Sequence, residues 1–394
     1  VAPGLQYTLV LEDTAGDGLC CGFGKGNAFL FWGSEVDYSQ ILVYVNGTYS
    51  SESRHAFVAS PMGVFSMPPP TPSPTLHPSN FPTEVPSESA SPTINDDRLV
   101  ELVSQHSPST SFANASSPQS LALEWLKSDD FLRSHNVSDA QLLQRFAIVT
   151  VHFSLHLERL LRQTHECDWN TCDSGSNIVK FSLLWRWGVT GTIPPEISLL
   201  TALTFLNFGA NDLTGSIPSK LSSLTALTYL NFGGNDLTGT IPPQLSTLTA
   251  LTGLNVCCND LIGTIPPQLS ALTGLTAIPM HGNSLTGSIP PELSTLTAAT
   301  AIDLWENQLT GPIPAKLAAL TLLQSMRLEI NKLTGTIPSQ LLALTLLESV
   351  FLWGNRLSGT VPPGMCSFVT TTFWVDDRFG MMCECCSCCP HPLP

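Results

Sequence analysis

The chain has 394 residues, including 31 prolines and 12 cysteines, and a formal net charge of −15, which is too long for one ordinary domain. Residues 1–177 hold 19 acids against 8 bases, residues 178–362 hold 9 against 7, and residues 363–394 hold 3 against 1. The absence of a basic stripe excludes a phosphate-tracking nucleic-acid binder. No apolar run reaches the length of roughly eighteen residues that a membrane span requires.

Residues 1–65 alternate apolar and polar positions in short runs, such as Tyr7 to Leu11 and Ile41 to Val45, with glycine or asparagine between them. This predicts a small β-rich module. Within it, the glycine-rich stretch from Asp13 to Gly26 places Asp13 and Asp17 where two carboxylates fit either a thin calcium site or turns closed by their own side chains. Cys20 and Cys21 are adjacent, so separate partners or free thiols are expected rather than a strained bridge between neighbours. Val1 in place of methionine leaves room for a removed leader or a larger N-terminal part.

Residues 66–97 are rich in proline, serine and threonine, a composition that gives an extended linker, open to O-glycosylation, and no packed core. From 98 to 176 the period becomes helical. Ser117-Pro118 fits an N-cap followed by a first-turn proline, and Ser138 with Gln141 fits a capping box opening a helix expected to run to Leu161. His152, His156 and His165 lie in this block without a regular ligand face, so packed or solvated histidines are expected rather than a metal centre.

Residues 177–365 are periodic. Asn211, Asn235, Asn259, Asn283, Asn307, Asn331 and Asn355 stand 24 residues apart, each succeeded four residues later by a glycine and then by Ile-Pro or Val-Pro. An imperfect eighth copy with Trp187 in the asparagine slot precedes them. Such a period denotes a solenoid of stacked coils. In each coil a strand with inward apolar residues leads to a turn where a buried asparagine amide meets backbone groups that no strand reaches. Glycine and proline then bend the chain round the outer side. The helices of 98–176 are expected to cover the first coil. Three sequons begin at Asn46, Asn114 and Asn136, all outside the periodic segment.

The unit L-x-x-L-x-L-x-x-N-x-L-x-G-x-I-P resembles the plant-type leucine-rich repeat over about half of the chain. The resemblance implies an α/β solenoid, a right-handed superhelix with a parallel sheet on its concave side and a second short strand near Leu-Thr-Gly-Thr-Ile. The N-terminal Asp13 to Gly26 stretch, and the pair of motifs Ala122 to Leu126 and Gln144 to Ala147, are similar to segments that accompany these repeats in diatom extracellular proteins. Cys167 to Cys172 resembles the N-terminal cap motif C-x-W-x-G-V-x-C in a shortened form, which implies a stapling disulfide. Cys366, Cys383, Cys385, Cys386, Cys388 and Cys389 fall in a tail, 366–394, that fits a cysteine-rich C-terminal cap or a zinc cluster, the cap being preferred because the last coil's apolar surface must be covered. The likeness is to receptor-like ectodomains, and no kinase sequence is present.

Function is expected on the solvent-facing columns of the sheet. Four residues before each repeat asparagine stand Asn207, Asn231, Asn255, Pro279, Asp303, Arg327 and Phe351, and two residues before it Gly209, Gly233, Cys257, His281, Trp305, Glu329 and Trp353. The later coils therefore bring His281, Trp305, Glu306, Arg327, Glu329, Phe351 and Trp353 into one patch, with Trp305 and Trp353 expected to be exposed aromatic anchors for a protein, peptide or glycan. Cys257 and Cys258 flank this side, which leaves an intermolecular disulfide open. Threonines around the repeat glycines form a T-x-T array of the kind that binds ice, interrupted by Ile262 and Pro312, while the column from Thr201 to Thr345 is expected to be a hydroxyl ladder satisfying turn backbones.

No G-x-S-x-G, H-E-x-x-H, phosphate-loop or dinucleotide motif occurs, so neither an enzyme nor a bound cofactor is expected. The leading expectation is a secreted or cell-surface recognition protein. A structural matrix component capable of self-association is the alternative and ice binding a minor one.

Overall fold

The computed structural model describes strands Gln6–Glu12, Ala28–Leu30, Val43–Val45 and Glu52–Val58, and the chain from 96 to 375 except 108–111, 136, 158–164, 166, 168–169, 184–187 and 366–371. Asp13, Asp17, Asn46, Asn136, Trp187, Cys366, Cys383, Cys385, Cys386, Cys388 and Cys389 lie outside the described residues. The chain divides into two compact units, Val1–Pro92 and Thr93–Pro394. In the first, Gln6–Glu12 pairs antiparallel with Glu52–Val58, and Ala28–Leu30 pairs antiparallel with Val43–Val45.

The second unit opens with helices α1 (Asp96–His106), α2 (Pro118–Lys127), α3 (Asp130–Ser134) and α4 (Asp139–Ser154). Each predicted cap is in place. The Ser117 hydroxyl accepts from the Ser120 N–H, and Ser138 and Gln141 exchange both capping-box bonds. The last helix stops at Ser154 rather than near Leu161. The reason is local: His156 adopts φ 54°, and the Leu157 N–H turns back to donate to the His152 carbonyl at 2.7 Å, a left-handed C-terminal cap.

The period-24 segment folds into stacked coils. The first inward strand is Ile178–Ser182, and the strands Phe205–Asn207, Tyr229–Asn231, Gly253–Asn255, Ala277–Pro279, Ala301–Asp303, Ser325–Arg327 and Ser349–Phe351 succeed it, one per coil. From Phe205–Asn207 to Gly253–Asn255, and again from Ala277–Pro279 to Ser349–Phe351, they pair in parallel with each residue opposite the one 24 positions on, while Ile178–Ser182 pairs one residue out of that period, Lys180 opposite Phe205. The parallel sheet runs one strand further than the repeat pattern, because Thr372–Trp374 pairs with Ser349–Phe351. At its start it gains Thr171–Cys172, antiparallel to Ile178–Ser182. Across the coil a second set of short strands, such as Thr190–Thr192 beside Asp212–Thr214, makes the other expected sheet. The outer side of each coil is a 3-10 turn, as at Pro243–Thr247, entered through the proline whose fixed φ suits that entry.

Between these walls lies the core. Leu203, Leu206, Phe208 and their 24-residue equivalents through Leu347, Val350 and Leu352 are all buried. The repeat asparagines stitch one layer to the next. Each side-chain oxygen accepts the backbone N–H two residues past the asparagine slot of the preceding coil, at 3.0–3.3 Å. From Asn235 onward each amide nitrogen donates to a carbonyl in the preceding coil at 2.9–3.0 Å. One amide thus meets backbone groups on two layers, which a hydrocarbon side chain there would leave unpaired.

The helices do cover the first coil. Glu196 is buried and accepts from the Ser107 hydroxyl at 2.8 Å and from the Gln119 amide at 3.1 Å. The Gln144 side chain bonds Ser176 and Ile178 backbone groups at 2.9 and 2.7 Å. Gly191, at φ 112°, is pressed so closely on the end of α4 that a Cβ there would lie 2.1 Å from the Ser154 carbonyl oxygen. Inside the helical block Arg145 forms a buried ion pair with Asp129, its guanidinium 4.8 Å from the Phe131 ring centre. Cys167 and Cys172 form a disulfide, as the cap resemblance implies.

Candidate ligand-binding face

The concave sheet is divided. Its strands form one five-stranded sheet ending at Gly253–Asn255 and a second beginning at Ala277–Pro279. Pro279 explains the break. Alternate residues direct their N–H groups to the preceding coil, as Gly253 does to the Thr228 carbonyl, and the ones between donate to the following coil, as Phe232 does to the Asn255 carbonyl; Pro279 stands in the first set and has no N–H to give.

Before the break the face satisfies itself. The side-chain oxygens of Asn207, Asn231 and Asn255 accept the N–H two residues on, from Gly209, Gly233 and Cys257, at 2.9–3.0 Å. These side chains fold down over the neighbouring column, which is why that column starts with glycine: a Cβ on Gly209 would lie 2.6 Å from the Asn231 amide, and one on Gly233 2.8 Å from that of Asn255. Beside them Phe205 and Tyr229 stack with ring centres 4.8 Å apart.

After the break the polar and aromatic residues assemble into a stack. His281 lies face to face with Trp305, ring centres 4.6 Å apart and planes within 10°. The Arg327 guanidinium covers the Trp305 ring at 4.8 Å and sits 5.4 Å from the centre of Phe351. Arg327 also donates twice to one oxygen of Glu329, at 2.9 and 2.7 Å. His281, Trp305, Arg327, Glu329 and Phe351 are therefore brought together as the sequence predicts, but Trp305 is not an exposed anchor. It is 8% exposed, sandwiched between His281 and Arg327, and so part of the floor of the face. Glu329 is likewise buried, whereas the Arg327 side chain is 39% exposed. Phe351 and Trp353 are half-buried and present the open aromatic surface.

The acids here are held against their preference. Burial pushes the Asp303 carboxyl above its ordinary value, with the His281 and Arg327 charges opposing. Burial does the same to Glu306 against His281, and to Glu329 chiefly against Arg327. Four buried side-chain atoms make no hydrogen bond among the described residues: His281 Nδ1, Trp305 Nε1, Glu306 Oε2 and Glu329 Oε2. All four fall on three consecutive coils. Native interiors pair nearly all such atoms, so the four set this stretch apart from the early half of the face.

Sequence reasoning missed Asp303 as a member of this group, although it stands in the same column as Arg327 and Phe351. It also missed the backbone of the residue just before each repeat asparagine. Ala210, Gly234, Cys258, Gly282, Glu306, Ile330 and Gly354 all take φ between 53° and 68°, a conformation that favours glycine and strains a β-branched residue such as Ile330. Recurrent glycine in that column is the signal that would have found it.

The hydroxyl ladder and the display of Cys257 are both corrected. Thr201, Thr225, Thr249, Thr273, Thr297, Thr321 and Thr345 are exposed, and the hydroxyls that reach back to a carbonyl of the preceding coil are those of Thr204, Thr228, Thr252, Thr276 and Thr300, three residues on, at 2.9–3.3 Å. A threonine at the start of the strand lies within reach of that carbonyl. Cys257 is buried and therefore not displayed for a disulfide to another chain, while Cys258 is half-buried. Asn114, exposed, uses its side-chain oxygen to accept the Ser116 N–H at 2.9 Å. In the T-x-T array Thr214, Thr238 and Thr286 spend their hydroxyls on carbonyls of the preceding coil at 3.2–3.3 Å.

The Leucine Rich Repeat family model matches residues 226–248. Among solved structures, the Arabidopsis receptor kinase HAESA, in complex with the peptide hormone IDA and a co-receptor, is similar at 28% identity over 63% of this chain and 46% of that one, with a TM-score of 0.50. The fold is a leucine-rich-repeat solenoid. The HAESA ectodomain with an extended IDA peptide is similar at 30% identity over 57% of this chain and 42% of that one, TM-score 0.48, and a plant ice-binding protein at 26% over 55% and 87%, TM-score 0.41. This leucine-rich-repeat chain spans less than half the length of the receptor chains it matches. No curated protein matches it. No described helix is long and apolar enough to cross a membrane.

Proposed function

We propose that the leucine-rich-repeat unit is an extracellular or cell-surface recognition module that binds a peptide or a peptide-like segment of a protein on the later half of its concave face. The observation that carries this reading is the row of buried, unpartnered polar atoms of His281, Trp305, Glu306 and Glu329, set between a charged Arg327 and the half-buried rings of Phe351 and Trp353. A peptide backbone supplies both the N–H donors that the two carboxylate oxygens lack and the carbonyl acceptor that an indole N–H lacks. The flat aromatic residues supply contact area at low entropic cost. The similar HAESA receptor is solved with a peptide hormone, which supports the same class of ligand. An oxidising compartment accords with the Cys167–Cys172 disulfide and with an exposed sequon at Asn114.

The test is selection from a random peptide display library on the immobilised full chain, with a glycan array run in parallel. Peptides should be enriched, and Phe351→Ala with Trp353→Ala should abolish their capture while the melting temperature stays near that of the parent. Trp305 is unsuitable for this purpose because it is buried. Capture unaffected by the double substitution, no enrichment at all, or enrichment on the glycan array alone would overturn the reading.

A further inference from the structure

We propose that Cys257, Cys258 and His281 form a binding site for a thiophilic divalent cation, zinc by preference, which clips together the two coils that meet at Pro279. The site shares His281 with the peptide reading, but its test counts metal with no peptide present, so the two fail independently. One sulfur from each cysteine and a ring nitrogen of the histidine all lie within 4.8 Å of one another. A tetrahedral zinc ion, with Zn–S near ~2.3 Å and Zn–N near ~2.0 Å, places such donors roughly 3.6–3.8 Å apart. Closing that gap takes only small side-chain rotations.

Three observations hold the donors in place. The Cys258 N–H donates to the His281 carbonyl at 2.8 Å, tying the ligand-bearing backbones across the coil boundary. Cys258 has φ 53° and Gly282 beside it has φ 61°. Those turns bring the two layers into van der Waals contact, the Cys258 sulfur lying 3.6 Å from where a Gly282 Cβ would be, and the positive φ at Gly282 is one that glycine adopts without strain. The His281 ring is fixed by its stack on Trp305, and its Nδ1 is buried with no hydrogen-bond partner among the described residues. An imidazole nitrogen with its ring orientation locked is what a metal ligand needs.

The chemistry of the donor set selects the ion, since two thiolates with one imidazole suit zinc and reject magnesium or calcium. As the ion enters, the two thiol protons leave to solvent and two sulfur–metal bonds form, with no change in oxidation state. The nearby Asp303 and Glu306 carboxylates, both electrostatically coupled to His281, add negative potential that favours a cation. Three protein donors leave a tetrahedral ion one position for water or a fourth donor. The site also has a structural consequence. The sheet is interrupted between Gly253–Asn255 and Ala277–Pro279, and a metal bridging Cys257, Cys258 and His281 braces the same junction.

The experiment uses the full chain, purified under reducing conditions and dialysed against zinc, with metal counted by mass spectrometry. Other cysteines contribute their own background, so the readout is the difference between the parent and Cys257→Ser/Cys258→Ser. The parent should hold one more equivalent of zinc, and a cobalt-loaded parent should show a thiolate charge-transfer band that weakens in the variant. His281→Gln should lose the same equivalent. Zinc should raise the melting temperature of the parent by more than that of the serine variant, while the metal-free proteins melt alike. Equal zinc content in parent and variant would overturn the proposal. So would mass mapping that finds Cys257 joined to Cys258 or to another cysteine in the chain isolated without reductant.

Discussion

The two halves of the concave face share one backbone and one period, yet they spend their side chains in opposite ways. Up to Asn255 the asparagine column turns inward on itself, each side chain accepting a neighbouring N–H and those of Asn231 and Asn255 lying over Gly209 and Gly233. From His281 on, the same columns carry a ring stack, a guanidinium and the acids Asp303 and Glu329, with Glu306 beside them, and burial favours protonation of all three. The first half has little left to offer a partner, and the second has buried polar atoms still unpaired. A solenoid lets the two coexist because each coil's stability comes from its leucines and repeat asparagine, leaving the outward columns to vary.

The sharpest way to break this comparison is to truncate equivalent positions on either side. Arg327→Ala removes both bonds to the buried Glu329 carboxylate and is expected to cost about 3 kcal/mol, whereas Asn231→Ala, one column mate in the early half, should cost about 1 kcal/mol for its bond to Gly233. Denaturant unfolding of both variants measures the difference, and equal losses would erase the distinction. Trp305→Ala should cost about 3 kcal/mol, a core-sized loss from a residue on the concave face. A loss below roughly 1 kcal/mol would return it to the surface.

A smaller effect is expected from acidic pH at the carboxyls of the later half. Glu329 has a folded-state pKa raised mainly by burial, so the native chain holds that proton more tightly than the unfolded chain. Its contribution to stability therefore falls as pH rises from its ordinary value through the raised one. Comparing the parent with Glu329→Gln from about pH 3 to pH 7, the parent should lose stability relative to the variant across that window and then level off. A flat difference would show that the carboxylate is not strained. The smallest effect belongs to the backbone: Ala210→Gly relieves a left-handed alanine at φ 57° and should stabilise by about 0.5–1 kcal/mol, read as a small rise in melting temperature.

Much of the fold is legible in the sequence because the signals are local or periodic. Ser117-Pro118 and Ser138 with Gln141 announce helix starts through bonds within three residues. The 24-residue spacing places every repeat asparagine and core leucine, since a displaced coil would bury polar groups and expose apolar ones. The grouping of His281, Trp305, Arg327, Glu329 and Phe351 also comes from column arithmetic. Their exposure does not. Trp305 reads as an anchor until His281 and Arg327 close over its two faces, an outcome of side-chain rotamers on neighbouring coils. The Asp129–Arg145 pair was equally hidden, joining the N-cap of one helix to a residue of another 16 positions on, whose packing no period records.

The sequence by itself settled the coil, its repeat and the column to which each residue belongs, because stacking identical units leaves one register that keeps leucine inside. Only the tertiary structure decided which column members are floor and which are surface, where Pro279 splits the sheet, and that two cysteines and a histidine converge beside the split. Those outcomes depend on distances between adjacent layers. Interactions across a layer boundary are set by how neighbouring side chains share space, and a linear pattern holds no term for that.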